Sequence, residues 1–196
     1  MSLRSLAPLT LFLCLQGPSA WAAKLTIGKP APAFTLKDTK GKTWTLSKLK
    51  GKTVVLEWTS NTCPFVLDHY EKGTMTKLEK EYRKKNVVWL AIDSTHSNNA
   101  GKSTNWMAQW GVTFPTLLDP SGTVGQSYGA RTTPHMYIID PKGVLVYQGA
   151  VDSGADRSAA KYRNHVDSAL TELLAKKKVS VPDTKPYGCS VKYLQF

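Results

Sequence analysis

Apolar and polar positions along the chain repeat with two different periods. Two nearly all-apolar segments rich in β-branched residues, 53–58 and 87–92, predict strands that are covered on both faces of a sheet. Alternating segments on either side of turn residues predict two hairpins, 34–46 and 136–147. Apolar side chains at helical spacing predict three helices, 63–85, 104–110 and 159–176. This order is typical of a three-layer α/β sandwich, a central mixed sheet flanked by helices, here with an N-terminal hairpin extension.

The composition is that of a folded chain with one core. It is 41% hydrophobic and 10% aromatic over 196 residues, which excludes global disorder. Lys and Arg outnumber Asp and Glu by 26 to 14, so the net charge is +12. No groove-reading motif accompanies this charge, and we therefore expect no nucleic-acid partner.

The N-terminus has the pattern of a secretion signal. Arg4 precedes a mostly apolar run, and Ala20-Trp21-Ala22 has the small residues of a cleavage site. The run is shorter than the ~20 residues of a membrane-spanning helix, so we expect no stable membrane insertion. The sequence therefore predicts a periplasmic or secreted protein organised as a signal peptide, one folded domain and a tail that carries Cys189, over 1–22, 23–176 and 177–196.

Removal of the signal leaves two cysteines, Cys63 and Cys189, in a compartment where disulfides persist. Cys63 follows a predicted buried strand and opens a predicted helix, with Pro64 at a first-turn position. Unpaired N–H groups and the dipole at a helix N-terminus stabilise a thiolate. Position alone therefore makes Cys63 the candidate nucleophile.

Three sequence features now carry a family resemblance. The strand Val54-Val55-Leu56-Glu57-Trp58, the Cys63-Pro64 pair, and Thr133-Pro134 before a second strand resemble the thioredoxin-like superfamily. The chain is most similar to redoxins of the alkyl hydroperoxide reductase and thiol-specific antioxidant type. The resemblance implies a thioredoxin-like fold and a cis bond before Pro134. It also implies a Thr133 backbone that pairs with an incoming extended chain.

The resemblance assigns supporting roles around the nucleophile. Glu57 stands near the place of a buried acid that the superfamily uses as a proton acceptor, and Thr62, Pro64 and Thr133 flank the site. The chain also departs from the superfamily's patterns. Val66 replaces the second cysteine of C-x-x-C.

Two branches of the superfamily fit less well. The peroxiredoxin motif finds its hydroxyl residue in Ser60 but has Leu56 in place of its proline. The resemblance also implies a peroxide-orienting arginine near Pro134, but none lies immediately beside it and Arg131 is three residues away. The copper carriers place a second cysteine where this chain has Leu67. We therefore expect no metal and no cofactor, and we expect disulfide exchange to compete well with peroxide reduction.

The predicted function is that of a thiol-dependent oxidoreductase. Cys63 attacks a disulfide or a peroxide, and Cys189 resolves the product because it is the other cysteine of the mature chain. The tail has an extended reach of roughly 40 Å, against a domain radius of gyration of about 16 Å. An external thiol or dithiol donor then restores both cysteines.

A second function class stays open. In it the chain is a non-enzymatic module that carries metal or binds a partner, and a permanent Cys63–Cys189 disulfide staples the tail. The disulfide would close the long loop between Cys63 and Cys189, which stabilises the folded state by roughly 5 kcal/mol in the chain-entropy model. Metal retention after purification favours this class, whereas reactivity of Cys63 favours the first.

Overall fold

The computed structural model describes residues 25–154 and 160–194. A seven-stranded mixed sheet forms its centre, with strand order β2-β1-β5-β4-β3-β7-β8. The neighbours of β3 are β4, which runs parallel to it, and β7, which runs antiparallel. The strands of this sheet are β1 Thr35–Asp38, β2 Thr43–Thr45, β3 Thr53–Trp58, β4 Val87–Asp93, β5 Thr116–Leu118, β7 His135–Ile139 and β8 Leu145–Gly149.

Helices cover the two faces of the sheet unequally. Four of them contribute to one buried cluster with side chains of β3, β4 and β7. The opposite face is covered by a short helix, a 3-10 turn at Leu46–Leu49 and the segment that precedes β1. The predicted three-layer α/β sandwich is thus confirmed. The helices are α1 Pro64–Glu71, α2 Thr74–Tyr82, α3 Ala100–Gln109, α4 Thr123–Ser127 and α5 His165–Leu174.

The predicted hairpins are both present, and the first is part of the main sheet. β1 pairs antiparallel with β2 and also with β5, so the N-terminal hairpin extends the sheet at one edge. At the other edge β7 and β8 form the second hairpin. β3 lies in the interior, and all six of its residues are buried, as its apolar run predicts.

The predicted helix over 63–85 is wrong as a single element. It is divided into α1, α2 and a 3-10 turn at Arg83–Lys85. The break falls at Gly73, which has φ +68° and precedes the first residue of α2. Glycine adopts this left-handed conformation at little cost, whereas the interior of a continuous helix does not allow it. α1 is therefore a separate short helix that carries Cys63 at its start.

Two other helices differ in extent from the sequence prediction. α3 begins four residues earlier than predicted because the side chain of Asn99 accepts a hydrogen bond from the N–H of Lys102, as an N-cap does. Asn164 caps α5 in the same way, through the N–H of Asp167. α5 therefore begins after residue 164 rather than at 159, and residue 159 itself lies outside the described residues.

The tail after α5 contains a short strand that the sequence did not predict. Residues Cys189–Ser190 form β9, which pairs antiparallel with β6, Thr132–Thr133. In this register Cys189 lies opposite Thr133. The tail thus returns to the loop that precedes β7.

No helix within 25–154 and 160–194 is long and apolar enough to span a bilayer. The predicted signal peptide, 1–22, lies outside the described residues. The division into a domain at 23–176 and a tail at 177–196 stays a prediction.

Candidate active site

Cys63 lies at the junction of the central strand and α1. It occupies the N-cap position, and Pro64 is the first residue of the helix, where its missing N–H leaves no hydrogen bond unmade. The Cys63 side chain is only 2% exposed, packed in the same cluster as Val66 and Tyr70. The sequence prediction for the start of this helix is therefore correct, and the thiol is sheltered rather than open to solvent.

The loop before β7 supplies the other wall of the site. The Thr133–Pro134 peptide bond is cis, as the resemblance implies. Thr133 is buried, and its carbonyl oxygen lies 2.9 Å from Cys63 Sγ, which donates a hydrogen bond to it as a thiol. The predicted residue Thr133 thus meets the nucleophile directly, and the cis proline follows it in the chain.

Cys189 is brought to the same place by the pairing of β9 with β6. Its side chain is half-buried, packs against the buried cluster that contains Cys63, and is close enough to Cys63 for each thiol to shift the pKa of the other. Both cysteines are thiols in this structure. The two residues that the sequence singled out are therefore neighbours, although 126 positions separate them in the sequence.

The tail is fixed on both sides of Cys189. Before it, the Tyr187 hydroxyl lies 2.9 Å from His69 Nε2 and donates to the carboxylate of Asp152. After it, the N–H of Val191 donates to the carbonyl of Arg131 at 3.1 Å, and the Tyr193 hydroxyl donates to the Ala130 carbonyl at 2.8 Å. These bonds hold the tail as an ordered strap across the site.

The two thiols have opposite electrostatic surroundings. Burial raises the pKa of Cys63, but hydrogen bonds from the side chains of Thr133 and Cys189 and from the backbone at Val66 and Cys189 outweigh it, so its pKa is lowered. Burial, together with the hydrogen bond to Cys63 and its charge, raises the pKa of Cys189. Of the two thiols, Cys63 therefore loses its proton more readily, and Cys189 can then donate a hydrogen bond to the Cys63 thiolate.

This asymmetry predicts a difference in titration. In single-cysteine variants, Cys63 should be alkylated by iodoacetamide with a midpoint at lower pH than Cys189, as mass spectrometry would show. The matched pair Cys189→Ser and Cys189→Ala isolates the hydrogen bond, because the serine hydroxyl still donates and the alanine does not. We expect a higher midpoint for Cys63 beside alanine. Equal midpoints beside serine and alanine would contradict the proposed hydrogen bond.

Glu57 is completely buried below α1. Tyr70 donates to its Oε1 at 2.8 Å, and the indole of Trp89 donates to its Oε2 at 2.9 Å. Burial raises the pKa of Glu57 to about 7 against the opposing effect of these two bonds. The structure thus places a protonatable acid in the layer that supports α1, but the hydrogen bonds described for Glu57 do not reach either cysteine. Its predicted role as a proton acceptor stays a prediction.

The remaining predicted residues lie around the site without touching the sulfur in the contacts described. Thr62 is exposed, and its hydroxyl is 3.3 Å from that of Ser60. The Arg131 side chain is exposed and lines a cavity of about 370 Å³ together with Gln148 and Asp183. Arginine is not among the groups that shift the Cys63 pKa in the described part of the chain.

Two residues of the site carried no usable signal in the sequence. Tyr187 and Asp152 hold the tail through a hydrogen bond, but neither residue belongs to a sequence motif. They are 35 positions apart, so no local sequence pattern indicates that they meet. Among the described residues no group of three or more His, Cys, Asp or Glu side chains is arranged to hold a metal ion.

The sheet order, the cysteine at the start of α1 and the cis proline that follows Thr133 define a thioredoxin-like redoxin. Comparison with known families gives the particular one: residues 27–148 match the AhpC/TSA family. The chain belongs to this family.

Individual relatives agree with that assignment. The thiol-disulfide oxidoreductase ResA of Bacillus anthracis is 34% identical over 137 residues, which cover 70% of this chain and 77% of ResA. A hypothetical protein from Sinorhizobium meliloti 1021 superposes with a TM-score of 0.77 at 26% identity, covering 88% of this chain and 97% of its own. An uncharacterized conserved protein from Geobacillus kaustophilus gives 0.78 at 26% identity, with 89% and 95% covered. ResA supports the predicted class, a thiol–disulfide oxidoreductase, and the two solved structures support the fold.

The family match has a boundary that matters for the site. It includes Cys63 and the cis proline but ends at residue 148, before the tail. The family match therefore covers the fold around Cys63, whereas the position of Cys189 follows from the geometry of this chain.

Proposed function

We propose that the chain is an exported thiol–disulfide oxidoreductase whose redox pair is Cys63 and Cys189. The observation that carries the proposal is that Thr133 joins the two cysteines: its carbonyl oxygen lies 2.9 Å from Cys63 Sγ, and the strand pair β6–β9 sets Cys189 opposite it. The pair replaces the local dithiol that Val66 rules out in α1. Export is supported by the signal pattern of the first 22 residues.

The reaction proceeds by two exchanges. The Cys63 thiolate attacks one sulfur of a substrate disulfide, which forms a mixed disulfide and releases the other substrate sulfur as a thiolate. Cys189 loses its proton and attacks Cys63 Sγ, which releases the second substrate thiolate and leaves a Cys63–Cys189 disulfide. The substrate gains two electrons, and the protein loses two. An external dithiol then reduces the protein by the same chemistry in reverse.

The surroundings of Cys63 favour a disulfide over a peroxide as the substrate. Its described hydrogen-bond partners are Thr133, Cys189 and backbone groups rather than a guanidinium. A guanidinium is the group that the peroxiredoxin resemblance requires, and Arg131 lines a separate cavity. Attack on hydrogen peroxide, giving a sulfenic acid that Cys189 condenses with, remains the slower reaction in this proposal.

The alternative, a non-enzymatic module with a permanent Cys63–Cys189 disulfide, requires different properties of the two cysteines. A structural disulfide has no need of a stabilised thiolate, yet the pKa of Cys63 is lowered by bonds to its sulfur. Stabilising the thiolate favours the reduced state and so makes the disulfide easier to reduce. The site is therefore better suited to cycling than to permanent closure.

Thiol counting during a single turnover tests the proposal. The reduced full chain, treated with one equivalent of 2-hydroxyethyl disulfide, should lose both thiols and release two equivalents of 2-mercaptoethanol. Peptide mapping without reduction should then find Cys63 joined to Cys189. A chain that keeps its thiols, or that forms only intermolecular disulfides, would refute the pair.

A further inference from the structure

The tail occupies the docking edge beside the nucleophile. Thr132 and Thr133 of β6 pair with Ser190 and Cys189, so this two-residue edge already has its neighbour. A strand edge pairs with one extended chain at a time. A substrate chain that presents its sulfur to Cys63 along Thr133 must therefore take the place of the tail.

Gly188 shows how closely the tail packs against the backbone of Thr133. It has φ +127°, a conformation that other residues rarely adopt, and a β-carbon here would overlap the carbonyl oxygen of Thr133. The residue before the reactive cysteine therefore has no room for a side chain when the chain is paired with β6.

Tyr187 marks a second position with a defined fit. Its ring lies 6.0 Å from that of Phe65 in an edge-on arrangement, and its hydroxyl reaches His69 and Asp152. Phe65 is 45% exposed even with the tail in place. An aromatic residue two positions before the cysteine thus finds both a ring and hydrogen-bond partners on α1 and its surroundings.

We propose that the substrate class is an extended polypeptide segment with glycine directly before its reactive cysteine and an aromatic residue before the glycine, and that this segment and the tail exchange on the edge of β6. The proposal rests on the proposed function. The segment docks when the tail lifts, and the Cys63 thiolate attacks the segment's cysteine sulfur, which breaks the substrate disulfide and releases its other sulfur as a thiolate. The returning tail takes back the edge while Cys189 attacks Cys63 Sγ, so the segment leaves as a thiolate in the step that forms the Cys63–Cys189 bond.

The test uses the full chain with Cys189→Ser, which cannot resolve the mixed disulfide. The probes are capped hexapeptides, Tyr-Gly-Cys-Ser-Val-Lys and Tyr-Ala-Cys-Ser-Val-Lys, each activated at cysteine as a disulfide with thionitrobenzoate. The matching disulfide of 2-mercaptoethanol is the small reference probe. We expect the glycine peptide to release thionitrobenzoate about tenfold faster than the alanine peptide, the scale of one strained contact.

Loosening the tail tests the exchange itself. In the Cys189→Ser chain, a second change Gly188→Ala displaces the tail from Thr133, whereas Tyr193→Phe removes only the hydroxyl that bonds Ala130. With less competition from the tail, the ratio of the glycine-peptide rate to the small-probe rate should rise about tenfold for Gly188→Ala. The ratio should rise less for Tyr193→Phe, which also serves if the first variant does not fold.

The outcomes separate this proposal from the one it rests on. Equal rates for the two peptides, or a ratio that neither tail change raises, would overturn the substrate class and the exchange while the small probe still reacts. A small probe that releases no thionitrobenzoate would overturn the proposed function as well.

Discussion

Replacing Cys63 by serine should reduce the rate of disulfide consumption by about a thousandfold or more, as loss of a catalytic nucleophile does. The serine hydroxyl is not ionised at neutral pH, so the bonds that lower the pKa of the Cys63 thiol have no thiolate to stabilise. The measurement is the single-turnover rate of the reduced chain with 2-hydroxyethyl disulfide.

The matched variant Cys189→Ser should behave differently. It keeps the nucleophile and a hydroxyl donor beside it, so the first exchange proceeds and stops at a mixed disulfide. Intact-mass analysis should show one added 2-mercaptoethanol group and release of one thiol rather than two. If Cys63→Ser reacts as fast as the parent chain, Cys63 is not the nucleophile and the stapled alternative gains support.

Replacing Glu57 by glutamine should change how stability depends on pH. Because burial raises the pKa of Glu57 from 4.5 to about 7, the folded chain holds a proton that the unfolded chain has already released. The unfolded state then binds fewer protons, so the free energy of unfolding falls as pH rises through this window. The stabilisation from Glu57 is complete below pH 4.5 and is lost by about pH 7, an effect of roughly 3 kcal/mol.

Glutamine fits the same place, since its carbonyl accepts from Trp89 and its amide donates to the Tyr70 hydroxyl. The difference in unfolding free energy between parent and Glu57→Gln, measured by urea denaturation from pH 4 to 8, should therefore shift in favour of the variant as pH rises. The exposed Glu81, paired with Lys85 at the surface, provides the control Glu81→Gln. A difference that does not vary with pH would mean that Glu57 titrates normally.

The parts of this fold that the sequence predicted are those set by local pattern. The apolar run of β3 specifies a strand buried on both faces, and Cys63-Pro64 specifies the start of a helix. Periodicity does not reveal the break at Gly73, because a single glycine is compatible with a continuous helical pattern as well as with a left-handed turn.

The site required contacts that no local pattern contains. Cys189 and Thr133 are 56 positions apart, and a two-residue strand is too short to have a period. Likewise the pKa of Glu57 is raised only when folding buries its carboxyl, and the hydrogen bonds that oppose this rise come from Tyr70 of α1 and Trp89 of β4. Cysteine counting found the pair, whereas the strap that aligns it follows from tertiary structure alone.

The reduction potential of the Cys63–Cys189 pair tests the central claim most directly. Equilibration of the full chain with dithiothreitol and glutathione buffers, followed by mass analysis of trapped thiols, gives this potential. Because the reduced state is stabilised by the hydrogen bonds to Cys63, we expect a value above about −300 mV, in the range of cycling disulfides. A potential well below about −300 mV, where structural disulfides lie, would contradict the redox pair and favour a permanent staple.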